Sequence, residues 1–208
     1  MGDYFRVMRS LLLIFLLFLI PDYAGLAQNK TTSPAKFGIG LEIGDWRPSN
    51  LSDDLTFTPL KNSKYNPYVG IMLLKPWRWG MTFRSSLGYW KYCNNEPYPN
   101  KESIKIGSIL LDLKYAILSD VMLMPYVSYG MGWFFGNGSR SNDSFLNNTD
   151  GLELGIGINV GTGFDFKFTR KFNLAMEFRY HYVKFKRVVA FTDNYSGPKI
   201  SIGMVYLF

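Results

Sequence analysis

The chain has 208 residues but only one cysteine, Cys93, and one histidine, His181. A lone cysteine excludes an intramolecular disulfide and a cysteine-based zinc site. A lone histidine, with no further ligands at metal spacing, gives no reason to expect a metal or any other cofactor. Beyond residue 27 no apolar run reaches the length of about 18 residues that a membrane-spanning helix needs. Acidic residues are also short: 16 Asp and Glu face 23 Lys and Arg, a formal net charge of +7. The Asn-x-Ser/Thr triplets at 137–139 and 142–144 lie in Asn- and Ser-rich stretches where they arise by chance, so they carry no weight.

The first residues supply what the rest lacks. MGDYFRVMRS is followed by the ten apolar residues LLLIFLLFLI and then PDYAGLA. A basic-tipped start, a short apolar core and small residues at Gly25-Leu26-Ala27 form the pattern of a secretory signal cut after Ala27. The expected organisation is therefore a signal peptide over 1–27 and one domain over 28–208. Asp3, Asp22, Arg6 and Arg9 cancel, so the exported domain keeps the basic surplus. For an exported protein that surplus suits anionic lipid headgroups, and nucleic acid is not an expected partner.

What recurs in 28–208 is alternation with period two. In GLELGIGINVGTGFDFKF, residues 151–168, the even positions are apolar except Thr162, and the odd ones are glycine, polar or charged. That period denotes a strand with unlike faces, and five glycines speak against a helix. The same pattern appears over 36–46, 80–92, 104–117, 125–135, 173–185 and 198–208. Residues 67–75 are apolar on both faces, which leaves their parity open. The total is eight strands. Their connections alternate too. Short turns are expected at Pro76-Trp77-Arg78-Trp79, Ser119-Asp120 and Thr169-Arg170-Lys171, and long polar loops at 47–66, 93–103, 136–150 and 186–197. Short turns at one rim and long loops at the other are the layout of an outer-membrane barrel. Trp46, Tyr89, Trp133, Phe135, Phe166, Phe168, Tyr182, Tyr206 and Phe208 lie near strand ends, where aromatic rings mark membrane interfaces.

Ser201-Ile202-Gly203-Met204-Val205-Tyr206-Leu207-Phe208 resembles the C-terminal assembly signal of bacterial outer-membrane proteins, with Ser201, Gly203, Tyr206 and Phe208 at the matching positions. ILLDLKYAIL at 109–118, MPYVSYGMGWFF at 124–135 and LAMEFRYHYV at 174–183 are similar to the small outer-membrane β-barrel domains of the OmpA/OmpX type, common in Bacteroidota-like organisms. The resemblance spans 28–208. It implies an all-β fold, an eight-stranded antiparallel up-and-down transmembrane β-barrel. It also implies a monomer integral to the outer membrane, both termini of the mature chain periplasmic, and a final strand read by the barrel-assembly machinery. Lipid and lipopolysaccharide are the implied surroundings. A surface or periplasmic protein is a further candidate partner, with Asp53, Asp54, Leu55, Phe57 and Leu60 of the first long loop as one contact region.

By parity the barrel interior receives Glu42, Arg84, Asp112, Lys114, Asp165, Lys167, Glu177, Arg179 and His181. A narrow eight-stranded barrel leaves room for side chains and little else. Unpaired charge there is costly, so these groups are expected to pair across strands and close the bore. Two other readings stand beside this structural or interactive one. A narrow gated channel would use the same charges. A lipid-modifying enzyme would use His181, but the histidine-x-serine motif of the outer-membrane deacylases fails, because Val183 stands where the serine belongs. A Ser201-His181-Glu177 set would need hydrogen-bond contact between its members. A soluble periplasmic barrel is the weakest alternative, opposed by the outward aromatics.

Overall fold

The computed structural model describes residues 37–49, 67–77, 80–93, 102–118, 121–140, 151–169, 171–190 and 192–208. The signal at 1–27, the loop residues Asp53, Asp54, Leu55, Phe57 and Leu60, the 142–144 triplet, the turn residues Arg78, Trp79, Ser119, Asp120 and Arg170, and most of the 93–103 loop lie outside the described residues.

Nine strands follow one another: β1 (Gly38–Trp46), β2 (Tyr68–Pro76), β3 (Met81–Cys93), β4 (Glu102–Ala116), β5 (Leu123–Arg140), β6 (Glu153–Lys167), β7 (Phe172–Val189), the short β8 (Thr192–Asn194) and β9 (Gly197–Leu207). Each long strand pairs antiparallel with its neighbours, and β9 returns to β1. The ring β1 to β7 plus β9 is thus a closed eight-stranded up-and-down barrel, with β8 appended to β7. Closure satisfies the edge hydrogen bonds that a bilayer would leave unpaired. The seam runs from Gly38 opposite Leu207 to Trp46 opposite Lys199, and the Phe208 amide donates to the Phe37 carbonyl at 2.9 Å.

Alternation sets the two faces. Even residues of β6 point out, with Ile156 66% exposed, while Gly155, Asn159 and Gly163 point in and are buried. On β1 the parity is reversed: Leu41 is 61% exposed and Glu42 is buried. The open parity of β2 resolves the same way, with Tyr68, Met72 and Leu74 inside and Val69 and Ile71 outside. Such a continuous outward apolar wall is unfavourable in water and suited to hydrocarbon. Tyr89, Tyr182, Phe168 and Phe208 are exposed on it, and Trp133, Phe135, Phe166 and Tyr206 are half-buried.

Several expectations need correction. Trp46 is not at a lipid interface; it is buried inside the barrel, because it shares the parity of Glu42 and Gly44. Lys167 is exposed at the end of β6, where the strand leaves the barrel, and so does not enter the lumen. Strands β5 and β7 reach Arg140 and Val189, so the expected loops at 136–150 and 186–197 begin later, and the second contains β8. The tops of β5 and β7 also lie close together. A side chain on Gly136 would bring its Cβ within 2.8 Å of the Phe185 ring, so the bare backbone permits the approach.

Candidate functional site

The interior is stacked in three layers. At the long-loop end Trp46, Tyr68, Trp90, Ile104, Ile106 and Phe134 join Val183, Phe185, Val189 and Tyr195 in one buried apolar cluster. At the short-turn end Met72, Leu74 and Val205 form a smaller one, with Leu207 packed against it. The charged groups lie between them.

Four residues make the centre of the charged layer. Arg84 donates from both terminal nitrogens to the Glu177 carboxylate at 2.9 Å, and from Nε to Asp112 at 3.0 Å. Arg179 lies 2.8 Å from Glu177 and 3.2 Å from Asp112. The two acids are therefore each shared by two guanidinium groups. Ser128 donates to Glu177 at 2.7 Å and Asn159 to Asp112 at 3.0 Å, which fills further lone pairs. Planar, forked guanidinium groups suit this shared geometry where a point charge would not.

Two lysines flank the centre. Lys114 pairs with Asp165 and lies over the Tyr126 ring, 3.7 Å from its centroid. Lys199 donates to Glu42 at 3.0 Å and lies 3.7 Å from the centroid of Tyr68. Cation and ring attract most strongly when water is excluded, as it is here. The layer pairs Arg84, Arg179, Lys114 and Lys199 with Asp112, Glu177, Asp165 and Glu42, so no net charge is left in it. Lys199, wholly buried, is the member that the sequence reading missed. Its odd parity, shared with Ser201 and Gly203, was the available signal.

His181 stands apart from these pairs. It is 2% exposed, packs edge-on against Trp46 and Phe134, and its Nδ1 has no hydrogen-bond partner among the described residues. Its partner across β9 is Gly197, whereas Ser201 lies opposite Glu177. From 197 to 201 an extended strand rises about 13 Å, so Ser201 and His181 are not in hydrogen-bond reach. The structure thus does not assemble the Ser201-His181-Glu177 set. Among the described residues no three His, Cys, Asp or Glu side chains converge as metal ligands.

Of the C-terminal signal residues, Ser201 and Gly203 face inward, Phe208 is exposed outside, and the half-buried Tyr206 ring packs edge-on against Phe172 and Phe208.

Comparison with known proteins agrees with this architecture. The profile of the outer membrane protein β-barrel domain family matches residues 10–208. No curated protein matches. Among solved structures, Neisserial surface protein A superposes with a TM-score of 0.57 at 17% identity, covering 86% of this chain and 100% of that one. The N-terminal β-barrel domain of Pseudomonas aeruginosa OprF gives 0.50 at 15% identity, covering 84% and 98%. The attachment invasion locus protein Ail of Yersinia pestis gives 0.50 at 13% identity, covering 84% and 97%. At these identities the likeness is one of fold.

Proposed function

Because this chain belongs to the outer membrane protein β-barrel domain family, we propose that it serves the cell envelope through its wall and loops, and not through a bore or an active site. Family membership makes it an integral protein of the outer membrane. Its role in this reading is structural or interactive: envelope integrity, adhesion, or service to another envelope complex. Residues 1–27 act as the cleaved export signal. The mature chain is a monomer with both termini periplasmic and its long loops outside. The barrel-assembly machinery reads Ser201, Gly203, Tyr206 and Phe208, and the barrel meets a protein partner, at the surface through its long loops or in the periplasm through its short turns.

One observation carries the reading. The Arg84–Glu177 contact ties opposite walls together in the middle of a lumen whose two ends are filled by apolar side chains. A bore closed in three layers has no room for diffusing solute. The solitary position of His181 supports a non-catalytic role.

The test combines envelope fractionation, gel mobility with and without boiling, and planar-bilayer recording. The expected result is an outer-membrane band whose mobility shifts on boiling, with silent bilayers. Regular conductance steps would overturn the closed-lumen reading. A soluble band with no shift would overturn the membrane reading.

A further inference from the structure

We propose that the outward face of β3 and β4 just beyond the aromatic belt, centred on Lys91 and Lys105 and continued by Lys184 and Lys186 on β7, binds the phosphate groups of outer-leaflet lipid; this rests on the outer-membrane reading above. Lys91 stands directly opposite Lys105 in the β3–β4 register. Both are exposed, and both have the outward parity of Tyr89. Like charges directly opposed across a ladder repel. Neither lysine has a carboxylate partner among the described residues. A fold that keeps this pair is relieved when counter-charge comes from outside the chain.

The depth fits lipid headgroups. Tyr89 lies two residues below Lys91, a rise of about 7 Å along a strand. On β7, Tyr182 lies equally far below Lys184. Aromatic rings mark the edge of the hydrocarbon, and lysine side chains one outward position farther extend into the phosphate zone. The intervening strand β5 places Asn137 beside Lys105 at the same level, an uncharged donor. Among the described residues Lys184 has a loose partner, Asp193 at 3.8 Å, with both side chains well exposed. Among the described residues, the outward positions of β3 to β7 at and beyond this level carry Lys91, Lys105, Asn137, Lys184 and Lys186 beside the uncharged Cys93, Ser103, Leu152, Leu154 and Val188, and no carboxylate. That is the charge complement of a phosphate-bearing leaflet and explains where part of the +7 surplus is used.

The experiment uses the full mature chain refolded into phosphatidylcholine vesicles, with and without diphosphorylated lipid A. The reading is the temperature at which the folded gel band converts to the unfolded one. Lipid A is expected to raise it, and added salt to shrink the gain. The double variant Lys91→Gln, Lys105→Gln is expected to lose most of the gain while melting no lower than the parent in phosphatidylcholine alone, since a repulsion has been removed. Lys91→Glu, which supplies Lys105 with a partner, is expected to do the same. Lys171→Gln, on the opposite rim, is expected to keep the gain. A gain unchanged in both β3 variants overturns the proposal. So does an equal gain from inorganic pyrophosphate added to phosphatidylcholine vesicles, because the phosphate would then be read from solution. A heat-shifted band with no lipid A effect overturns this proposal alone; no shifted band in any vesicle overturns the outer-membrane reading itself.

Discussion

Arg84 on β3 and Glu177 on β7 start from opposite walls of the ring, four strands apart in either direction, and meet in two hydrogen bonds of 2.9 Å. Glu177 also receives Arg179 and Ser128. Glu177→Ala leaves two buried guanidinium groups to share the single carboxylate of Asp112. Removing one partner of a buried ion pair costs about 3–5 kcal/mol. The loss is expected at that size in urea unfolding of the refolded chain, followed by the heat-sensitive gel band.

Lys199 offers a cleaner pairwise case. Its ammonium group is held by Glu42 and the Tyr68 ring. Lys199→Met leaves Glu42 charged and buried, with an expected loss of about 3–5 kcal/mol. Adding Glu42→Gln is expected to recover most of that loss. A double variant no better than the single one would mean that the pair is not a unit.

Gly88 is packed beneath Tyr68. A Cβ at this position would overlap the Tyr68 hydroxyl group and approach Ser108 Oγ to 2.7 Å. Gly88→Ala is expected to cost about 1–3 kcal/mol from overpacking. The cost should fall sharply in a Tyr68→Leu background, and a double-mutant cycle measures the coupling.

Much of this was legible from period two alone. The eight strands, the inward parity of the odd residues of β6 and the outward parity of its apolar residues all follow from alternation, whereas closure into a barrel rests on the turn-and-loop layout and the family resemblance. The aromatic layer did not. Leu110 faces inward between the outward Ile109 and Leu111, while Ile104 and Ile106 face inward beside the outward Lys105 and Gly107, so the apolar residues of IKIGSILL fall on both faces. The residue type of Trp46 points to the interface, and its parity points inward, which is where it lies. Lys199 follows Pro198 at the start of β9, before an alternating pattern has been established. Which charges meet across the bore depends on tilt and stagger, and a one-dimensional pattern does not hold that information. Arg84 and Glu177 are separated by 93 positions in the chain, and nothing local links them.

His181 should be dispensable. It has ring neighbours on two sides and an unpartnered Nδ1, and Ser201 is far along the strand. His181→Leu is expected to change stability by less than about 1.5 kcal/mol, as for other swaps of similar volume. Outer-membrane lipid extracted from cells carrying the variant should have the same mass spectrum as that from the parent strain. A change in acyl chains would revive the enzymatic reading.

Phe208 is expected to separate assembly from stability. Its side chain is 65% exposed and touches the Tyr206 ring edge-on. Phe208→Ala is expected to lower the amount of barrel in the outer membrane several-fold. The same variant, refolded in detergent without any cellular machinery, should unfold within about 1 kcal/mol of the parent, as expected for loss of one exposed ring pair. Equal losses in both settings would reduce the residue to ordinary packing.

The strand lengths have a mechanical meaning. β1 and β2 are 9 residues each, whereas β5 and β7 are 18. Each ladder bond broken in hydrocarbon leaves polar groups without water, so resistance to tearing grows with ladder length. The wall is therefore a zipper of uneven strength, weakest around β1, where the first strand meets the last. A nascent barrel of this sequence can close its tall side early and seal the short side last. Force applied sideways to the finished barrel would part it along the same line.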